Sequence, residues 1–431
     1  ASGRGEHGPV RVPPPVWGED RRGAFLLRIL HVVPTYLPAW RHGGPILAVH
    51  GLCKALAARG HEVTVFTTNV HGDGALDVPL DEPVRIDGVE VRYFPVRPPR
   101  RLYFAPGLGR ATRDGAAGFD VVHLHSVFLW PTTAAARAAE RAGVPYVLSP
   151  RGMLVPELIR SRGRWRKRAW MALAERRTIE HAAALHATSG LEAAEASRLG
   201  LPLPPVAVVP NGIDPEPWDG DAAALSPAVR AVVAGGPFLL FLGRLSWKKG
   251  LDRLIPAMAH LPGAALAVAG NDEEGLRPEL ERLAREAGVA DRVSFPGPVH
   301  GADKAALLHR AAALVLPSRS ENFGNVVLEA WAAGRPAAVT PEVGLAETVR
   351  EIGAGIVAAG DLGGALRDLL TDPERLDAMG RRGAEAVRER FSWPAVAAEM
   401  ERVYHHLMMG CCAPADGCAL IRDLPREGRH V

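Results

Sequence analysis

Short apolar runs alternate along the chain with longer stretches whose apolar positions recur at helical spacing. Leu26 to Val33 reads as a buried strand, Ile46 to Arg59 as an amphipathic helix ended by Gly60, and Glu62 to Thr67 as a second strand. Strands are expected again at Val89 to Phe94, Val121 to His125, Tyr146 to Ser149 and Val206 to Val209, with a helix over Thr132 to Arg141. A second series runs through Phe238 to Leu242, Ala265 to Ala269, Val293 to Phe295, Ala313 to Leu316, Pro336 to Thr340 and Gly355 to Val357. Strands that alternate with helices build parallel sheets covered on both faces, so the fold class is α/β, with two successive units. A last helix over Pro394 to Leu407 has Val396, Met400, Val403 and Leu407 on one face and is expected to cross back onto the first unit.

No GxGxxG follows the first strand, which argues for twin Rossmann-like domains rather than a dinucleotide dehydrogenase. Pro210-Asn211-Gly212-Ile213-Asp214 closes the first series and enters a Pro/Asp/Ala-rich linker. The chain thus divides into an extension 1–23, a first domain 24–210, a second domain 211–393, a crossover helix 394–408 and a flexible tail 409–431. Its 431 residues exceed one ordinary core, and two lobes imply a cleft. A net charge of +3 is too small for a general nucleic-acid binder, which must neutralise many phosphates at once. Three of the four cysteines, Cys411, Cys412 and Cys418, sit in the tail without paired CxxC knuckles, so neither a disulfide framework nor a zinc site is read. Apolar runs fall short of the roughly 20 residues that span a bilayer, and Ala1 to Gly23 lacks the apolar core of a secretory signal. The expectation is a cytoplasmic protein with a flexible N-terminal extension.

Two segments of the second series carry candidate chemistry. Ser320 to Glu329 follows a buried strand and places Glu321 on a loop and Glu329 about one turn inside a helix that starts near Gly324 or Asn325. The N-terminus of such a helix offers unpaired N–H groups and a positive dipole end to a diphosphate or sugar oxygen, and a nearby carboxylate can accept from vicinal hydroxyls. Gly243-Arg244 through Lys249-Gly250 ends another strand in a basic loop, where Arg244 and Lys249 can stabilise a departing diphosphate without a metal. Taken singly, each has a simpler reading as a solvated loop or helix face. Asp219-Gly220-Asp221 follows no strand and is read as surface, not as a metal site.

With Val209-Pro210-Asn211-Gly212-Ile213-Asp214, these segments resemble glycosyltransferase family 4, the group 1 transferases of GT-B fold, over roughly Leu26 to Leu407. The resemblance implies two Rossmann-like domains facing across a cleft, the first binding acceptor and the second a nucleotide sugar. It implies that Arg244 and Lys249 hold the donor pyrophosphate, Glu321 contacts the transferred sugar and Glu329 binds the ribose. Backbone N–H groups of Phe323, Gly324 and Asn325 would touch sugar or phosphate, Val326 would lie with them at the donor, and Asn271 and Val299 would edge the base. Here the motif reads Glu-Asn-Phe-Gly-Asn where many members carry Gly and Leu.

In the first domain His123 and His125 share one side of a strand, and the resemblance makes His125 the active-site candidate and His123 the structural one. Gly43 and Gly44 start the first helix with a bare backbone that can approach a phosphate or acceptor hydroxyl. From Arg151 to Arg177 nine Arg or Lys residues face only Glu157 and Glu175. Arg151, Arg164, Trp165, Arg166, Lys167 and Arg168 are therefore candidates for the acceptor or for an anionic inner membrane face, a solvated basic helix being the plainer alternative. Ser149-Pro150-Arg151-Gly152-Met153-Leu154 resembles a segment of exopolysaccharide and capsule transferases. The expected activity is retaining, metal-independent transfer of a hexose from a UDP- or GDP-sugar to a glycan or lipid-linked acceptor, with no cofactor. The rivals are another GT-B enzyme, such as a sugar-nucleotide epimerase, and a non-catalytic nucleotide-sugar binding protein.

Overall fold

A computed structural model describes residues 26–39, 44–80, 82–156, 170–215, 220–221, 224–409 and 421–422. In order across the first sheet lie Ile421–Arg422, Val206–Val208, Ala184–Ala187, Tyr146–Ser149, Val121–His125, Arg28–Val33, Glu62–Thr68, Val89–Phe94 and Pro83–Ile86. Only the two edge strands run antiparallel to their neighbours. The second sheet is parallel throughout, in the order Val293–Gly297, Ala265–Ala269, Phe238–Leu242, Ala313–Leu316, Ala337–Val339, Gly355–Val357. Such strands are buried on both faces, which is why they read as continuous apolar runs: Phe238, Leu239, Leu240, Phe241 and Leu242 are all in the core.

One face of the first sheet, with Ile29, Val33 and Val65, packs on helix Gly44–Ala58 and on the C-terminal helix Trp393–Met408. The opposite face, with Leu30, Val32 and Leu124, packs on helices Pro106–Gly115 and Trp130–Ala142. Val396, Met400, Val403 and Tyr404 all lie in the core of the first sheet. At about 1.5–3 kcal/mol for each large apolar side chain buried, this face fastens the last helix to the first domain, as its apolar spacing predicts. The chain passes between domains at 211–213 and again at 391–393, and the two passages are joined where Ile213 N–H donates to Phe391 O at 2.8 Å. Trp393 then fits against Gly51 and Gly212, where a Cβ on either would overlap its indole.

Each sheet reverses its strand order beside its own first strand. Arg28–Val33 stands between Glu62–Thr68 and Val121–His125, and Phe238–Leu242 stands between Ala265–Ala269 and Ala313–Leu316. A crevice opens at the carboxyl ends of strands wherever connections diverge in this way, and ligands of open α/β sheets bind there.

Several elements depart from the sequence reading. The first helix begins at Gly44, and the Ala184–Ala187 strand was unread because Ala-Leu-His-Ala lacks the β-branched residues that mark strands. Pro83–Ile86 adds an antiparallel edge through the Asp87-Gly88 turn. The tail, expected to be flexible, contributes Ile421–Arg422 to the other edge, because Val206–Val208 leaves its outer backbone groups open to pairing. The extension 1–23 and the tail cysteines lie outside the described residues. Among the described residues, no helix is long and apolar enough to cross a membrane.

Candidate active site

The switch point of the second sheet is built by two loops that lock together. Strand Phe238–Leu242 ends in Gly243, against which Gly270 packs so closely that a Cβ on Gly270 would overlap the Gly243 carbonyl. The single turn Trp247–Lys249 closes on Gly250, whose φ of 67° is the left-handed conformation that glycine adopts without strain. Gly250 abuts the carbonyl of Pro317 in the loop after Ala313–Leu316. Arg253 donates to Pro317 O (2.9 and 2.6 Å) and Ser318 O (2.8 Å), and Arg319 grips Asp252 with two bonds of 2.6 and 2.8 Å. That guanidinium holds the Asp252 carboxyl below its usual range.

With the loops fastened, the ammonium of Lys249 meets the carboxylate of Glu321, each about one-fifth exposed. Glu321 lies beside Gly324, which caps helix Asn325–Ala332 with φ 97° and ψ 57°. Glu329 stands one turn into that helix, 3.1 Å from Lys304, which follows the Gly297-Pro298-Val299 turn. Arg244 is the most open of the set and pairs with Glu273 at 3.1 Å. Asn271 accepts from Leu245 N–H at 2.8 Å. Lys249, Glu321, Glu329, Arg244 and Asn271 therefore gather at the carboxyl ends of adjacent strands. The side chains of Phe323 and Val299 are turned into the core, which is compatible with the backbone role expected of Phe323 and leaves Val299 only its backbone for a base. Val326 is half-buried in the first turn of the helix.

The first domain presents a cluster of histidines under its own switch point. His31, His123, His125 and His186 are buried on three strands of the first sheet, their rings stacked, tilted or edge-on at centroid distances of 4.3 to 5.3 Å. Their protons are set by their partners. His186 Nε2 donates to Val209 O (2.9 Å), so its Nδ1 accepts from Ser149 Oγ (2.6 Å). Ser149 in turn accepts from His123 Nε2 (2.8 Å), whose Nδ1 accepts from Tyr404 OH on the crossover helix (2.7 Å). These bonds hold His123, His125 and His186 neutral, while His31 accepts from His125 at Nδ1 and keeps its own proton on Nε2, which is buried without a hydrogen-bond partner among the described residues. Burial, reinforced by Arg151, pushes His31 and His186 down to about 3, and His123 and His125 fall in the same direction, burial again the first cause. Nitrogens of His31, His123 and His125 lie within 4.8 Å of one another. A metal ion there would have to break these bonds and sit beside the guanidinium of Arg151, which disfavours it.

His125 is 1% exposed, with Nε2 at 2.9 Å from His31 Nδ1 and Nδ1 at 3.4 Å from Arg151 Nη2. The sequence candidate is thus enclosed rather than projecting openly into the cleft. Arg151 also needs correction: its guanidinium turns inward to His125 and Asn211, so it is no membrane contact. Arg164, Trp165, Arg166, Lys167, Arg168 and Gly43 lie outside the described residues. Gly44 faces the cleft, where a Cβ would come 3.3 Å from the amide nitrogen of Asn325. The loop after His125 has left-handed backbone at Ser126 and Phe128. It is held by the buried carboxyl of Glu175, which accepts from Phe128 N–H (2.8 Å) and Trp170 Nε1 (3.0 Å). Non-glycine residues persist in this conformation where their surroundings over-determine it, commonly at functional sites.

The domains touch through the same loops. Asn322 Nδ2 donates to Thr188 Oγ1 and Ser189 Oγ donates to Asn322 O, both at 3.0 Å. Glu192 braces this contact by accepting from Thr188 N–H (2.7 Å) and Gly152 N–H (2.6 Å). Sequence reasoning missed Arg253, Arg319, Glu192 and His186, because isolated charged residues and a lone histidine carry no periodic or spacing signal.

Residues 43–212 match the glycosyl transferase 4-like domain and residues 226–386 the glycosyl transferases group 1 domain. The chain is 33% identical over 395 residues to a D-inositol 3-phosphate glycosyltransferase of Xylanimonas cellulosilytica, covering 84% of this chain and 91% of that protein. Its fold is similar to that of sucrose-phosphate synthase from Thermosynechococcus elongatus, with a TM-score of 0.68 at 24% identity over 89% of this chain and 100% of the other. It is also similar to HepE of Anabaena in complex with UDP and glucose, with a TM-score of 0.65 at 19% identity over 88% of this chain and 99% of the other. Two doubly wound domains, their switch points turned to one cleft and their sequences matched over both halves, make this chain a member of the group 1 glycosyltransferases of GT-B fold.

Proposed function

We propose that the protein transfers a hexose, with retention, from a UDP- or GDP-sugar to a glycan or lipid-linked acceptor in polysaccharide biosynthesis. The observation that carries this reading is the Lys249 and Glu321 pair at the mouth of helix Asn325–Ala332. An ammonium and a helix N-terminus supply positive potential for a diphosphate, and the carboxylate beside them accepts from sugar hydroxyls. The reading is supported by the UDP and glucose held by HepE. Arg244 exchanges Glu273 for the pyrophosphate, Glu329 takes the ribose, and Asn271 with the backbone of Val299 edges the base. These cations meet the developing charge in place of a metal ion, and no cofactor enters the reaction.

Transfer is a same-face substitution: the bond from the anomeric carbon to the diphosphate oxygen breaks as the acceptor oxygen bonds to that carbon. The acceptor proton passes to the departing phosphate oxygen. The first domain supplies the acceptor face, and closure of the cleft excludes water. To test this, the purified protein is screened against nucleotide sugars by melting temperature, and the donor that stabilises it is assayed with acceptors. Lys249→Ala and Glu321→Ala should each lower kcat/KM by about 10²–10³-fold, the usual cost of removing one preorganised electrostatic contact. Full activity in either folded variant, or donor conversion that is as fast without acceptor, would overturn the reading.

A further inference from the structure

Asn322 and Asn325 stand in the Glu-Asn-Phe-Gly-Asn stretch, where many members of the family carry glycine and leucine, and both reach the other domain. Asn325 Oδ1 accepts from Asn211 Nδ2 at 3.0 Å, and Asn211 Oδ1 accepts from Arg151 Nη1 at 2.9 Å. The other fork of Arg151, Nη2, faces His125 Nδ1 at 3.4 Å, and His125 Nε2 lies 2.9 Å from His31 Nδ1. A continuous chain thus runs from the first turn of the second domain's helix to the strand ends of the first domain.

Only one polarity satisfies it. A guanidinium donates and never accepts, so Asn211 turns its oxygen to Arg151 and its amide to Asn325, which must offer its own oxygen. On the other arm His125 Nδ1 must carry a lone pair, which leaves the proton on Nε2, donated to His31. Asn211 is 8% exposed and His31 fully buried, so solvent has little access to replace a broken link. Arg151 is placed for this by a left-handed backbone, φ 55°, followed by Gly152 at φ 75°. A Cβ on Gly152 would crowd the Asn322 side chain at 2.9 Å, so the same turn also admits the second asparagine.

We propose that Arg151, Asn211 and Asn325 are positioning residues for transfer, forming one polarised hydrogen-bond chain that sets the register between the His125 end of the first domain and the donor-binding helix of the second. The proposal rests on the donor reading above, since the sugar held between these two ends is what the register serves. None of the three side chains hydrogen-bonds to Arg244, Lys249 or Glu321, so breaking the chain relaxes the register and leaves the grip on the nucleotide.

The test uses the full chain and the donor found by the nucleotide-sugar screen. Asn211→Leu should lower kcat for transfer about 30-fold, within the 10²-fold that a misplacement of about 1 Å costs, while the Kd for the nucleoside diphosphate stays within about threefold. Asn325→Leu should also lower kcat, and the double variant should fall no more than about threefold below the weaker single, because both remove the same chain. Asn211→Asp still accepts from Arg151 and accepts from the Asn325 amide once that amide turns over, and should restore kcat to within about threefold of wild type. Wild-type rates in Asn211→Leu, additive losses in the double variant, or a loss in Asn211→Asp equal to that in Asn211→Leu would each overturn the proposal. The tautomer needs no substrate: two-bond proton–nitrogen spectra should show His125 protonated on Nε2. A ring protonated on Nδ1 refutes the chain whether or not any donor is turned over.

Discussion

Lowering the pH from 7 to 5 perturbs the histidine cluster while leaving the ordinary carboxylates ionised. His31 and His186 sit near a pKa of about 3 in the folded protein against 6.5 when exposed, because burial and Arg151 disfavour their charged forms. Across this window the unfolded chain binds a proton on each ring that the native protein refuses, so stability falls as the pH drops. Integrating that difference gives about 2 kcal/mol of lost stability for each of the two rings. His123 and His125 act in the same direction, as does His61, whose burial outweighs its Glu401 neighbour. Glu175 opposes them: burial raises it to about 7, so the native carboxyl takes up a proton between pH 7 and 5 while the unfolded one stays ionised until near 4.5. Its return is about 2 kcal/mol, which cancels one ring. Carboxyls held low by arginine or histidine, such as Asp252 and Asp87, lose their contribution only in stronger acid. The net expectation is a loss of several kcal/mol against the roughly 5–15 kcal/mol that folded proteins have. Urea unfolding at pH 7, 6 and 5 reads it as a falling midpoint with an unchanged m-value. A midpoint that holds steady or rises would show that the rings are not held neutral, and the tautomer assignment would fall with it.

Glu175→Gln removes the opposing group while its amide oxygen still accepts from Phe128 and Trp170, so it should be at least as stable as wild type at pH 8 and lose stability more steeply between pH 7 and 5; weaker stability at pH 8 by denaturant titration would contradict the neutral-carboxyl reading. Gly270→Ala should part the loop after Ala265–Ala269 from the Gly243-Arg244 loop, because its Cβ overlaps the Gly243 carbonyl; a cost of about 1–3 kcal/mol and loss of nucleotide binding in calorimetry are expected, and unchanged binding would refute the close-packing argument. Gly51→Ala should displace Trp393 from between the helices and lower thermal stability by a similar 1–3 kcal/mol or so, whereas an unshifted melting temperature would show that the indole has room to move.

What the sequence alone determined was everything that depends on local repetition. Buried parallel strands demand runs such as Phe238 to Leu242, helices demand the Val396, Met400, Val403 spacing, and a strand ending in Gly243-Arg244 or preceding Glu321 marks the carboxyl edge where ligands bind. The α/β class, the series of strands in each half and the strand ends that carry Arg244, Lys249 and Glu321 were legible for that reason. Tertiary structure decided which way side chains turn and which distant residues meet. It buried Val299 and Phe323, enclosed His125, and drew Arg151 away from the surface by a left-handed turn that no spacing rule reveals. It also joined His31, His123, His125 and His186, from three separate strands, into one neutral network. Hydrogen-bond partners of that kind are set by strand order and crossover, which bring residues 26 to 281 positions apart into contact, and no local pattern records them.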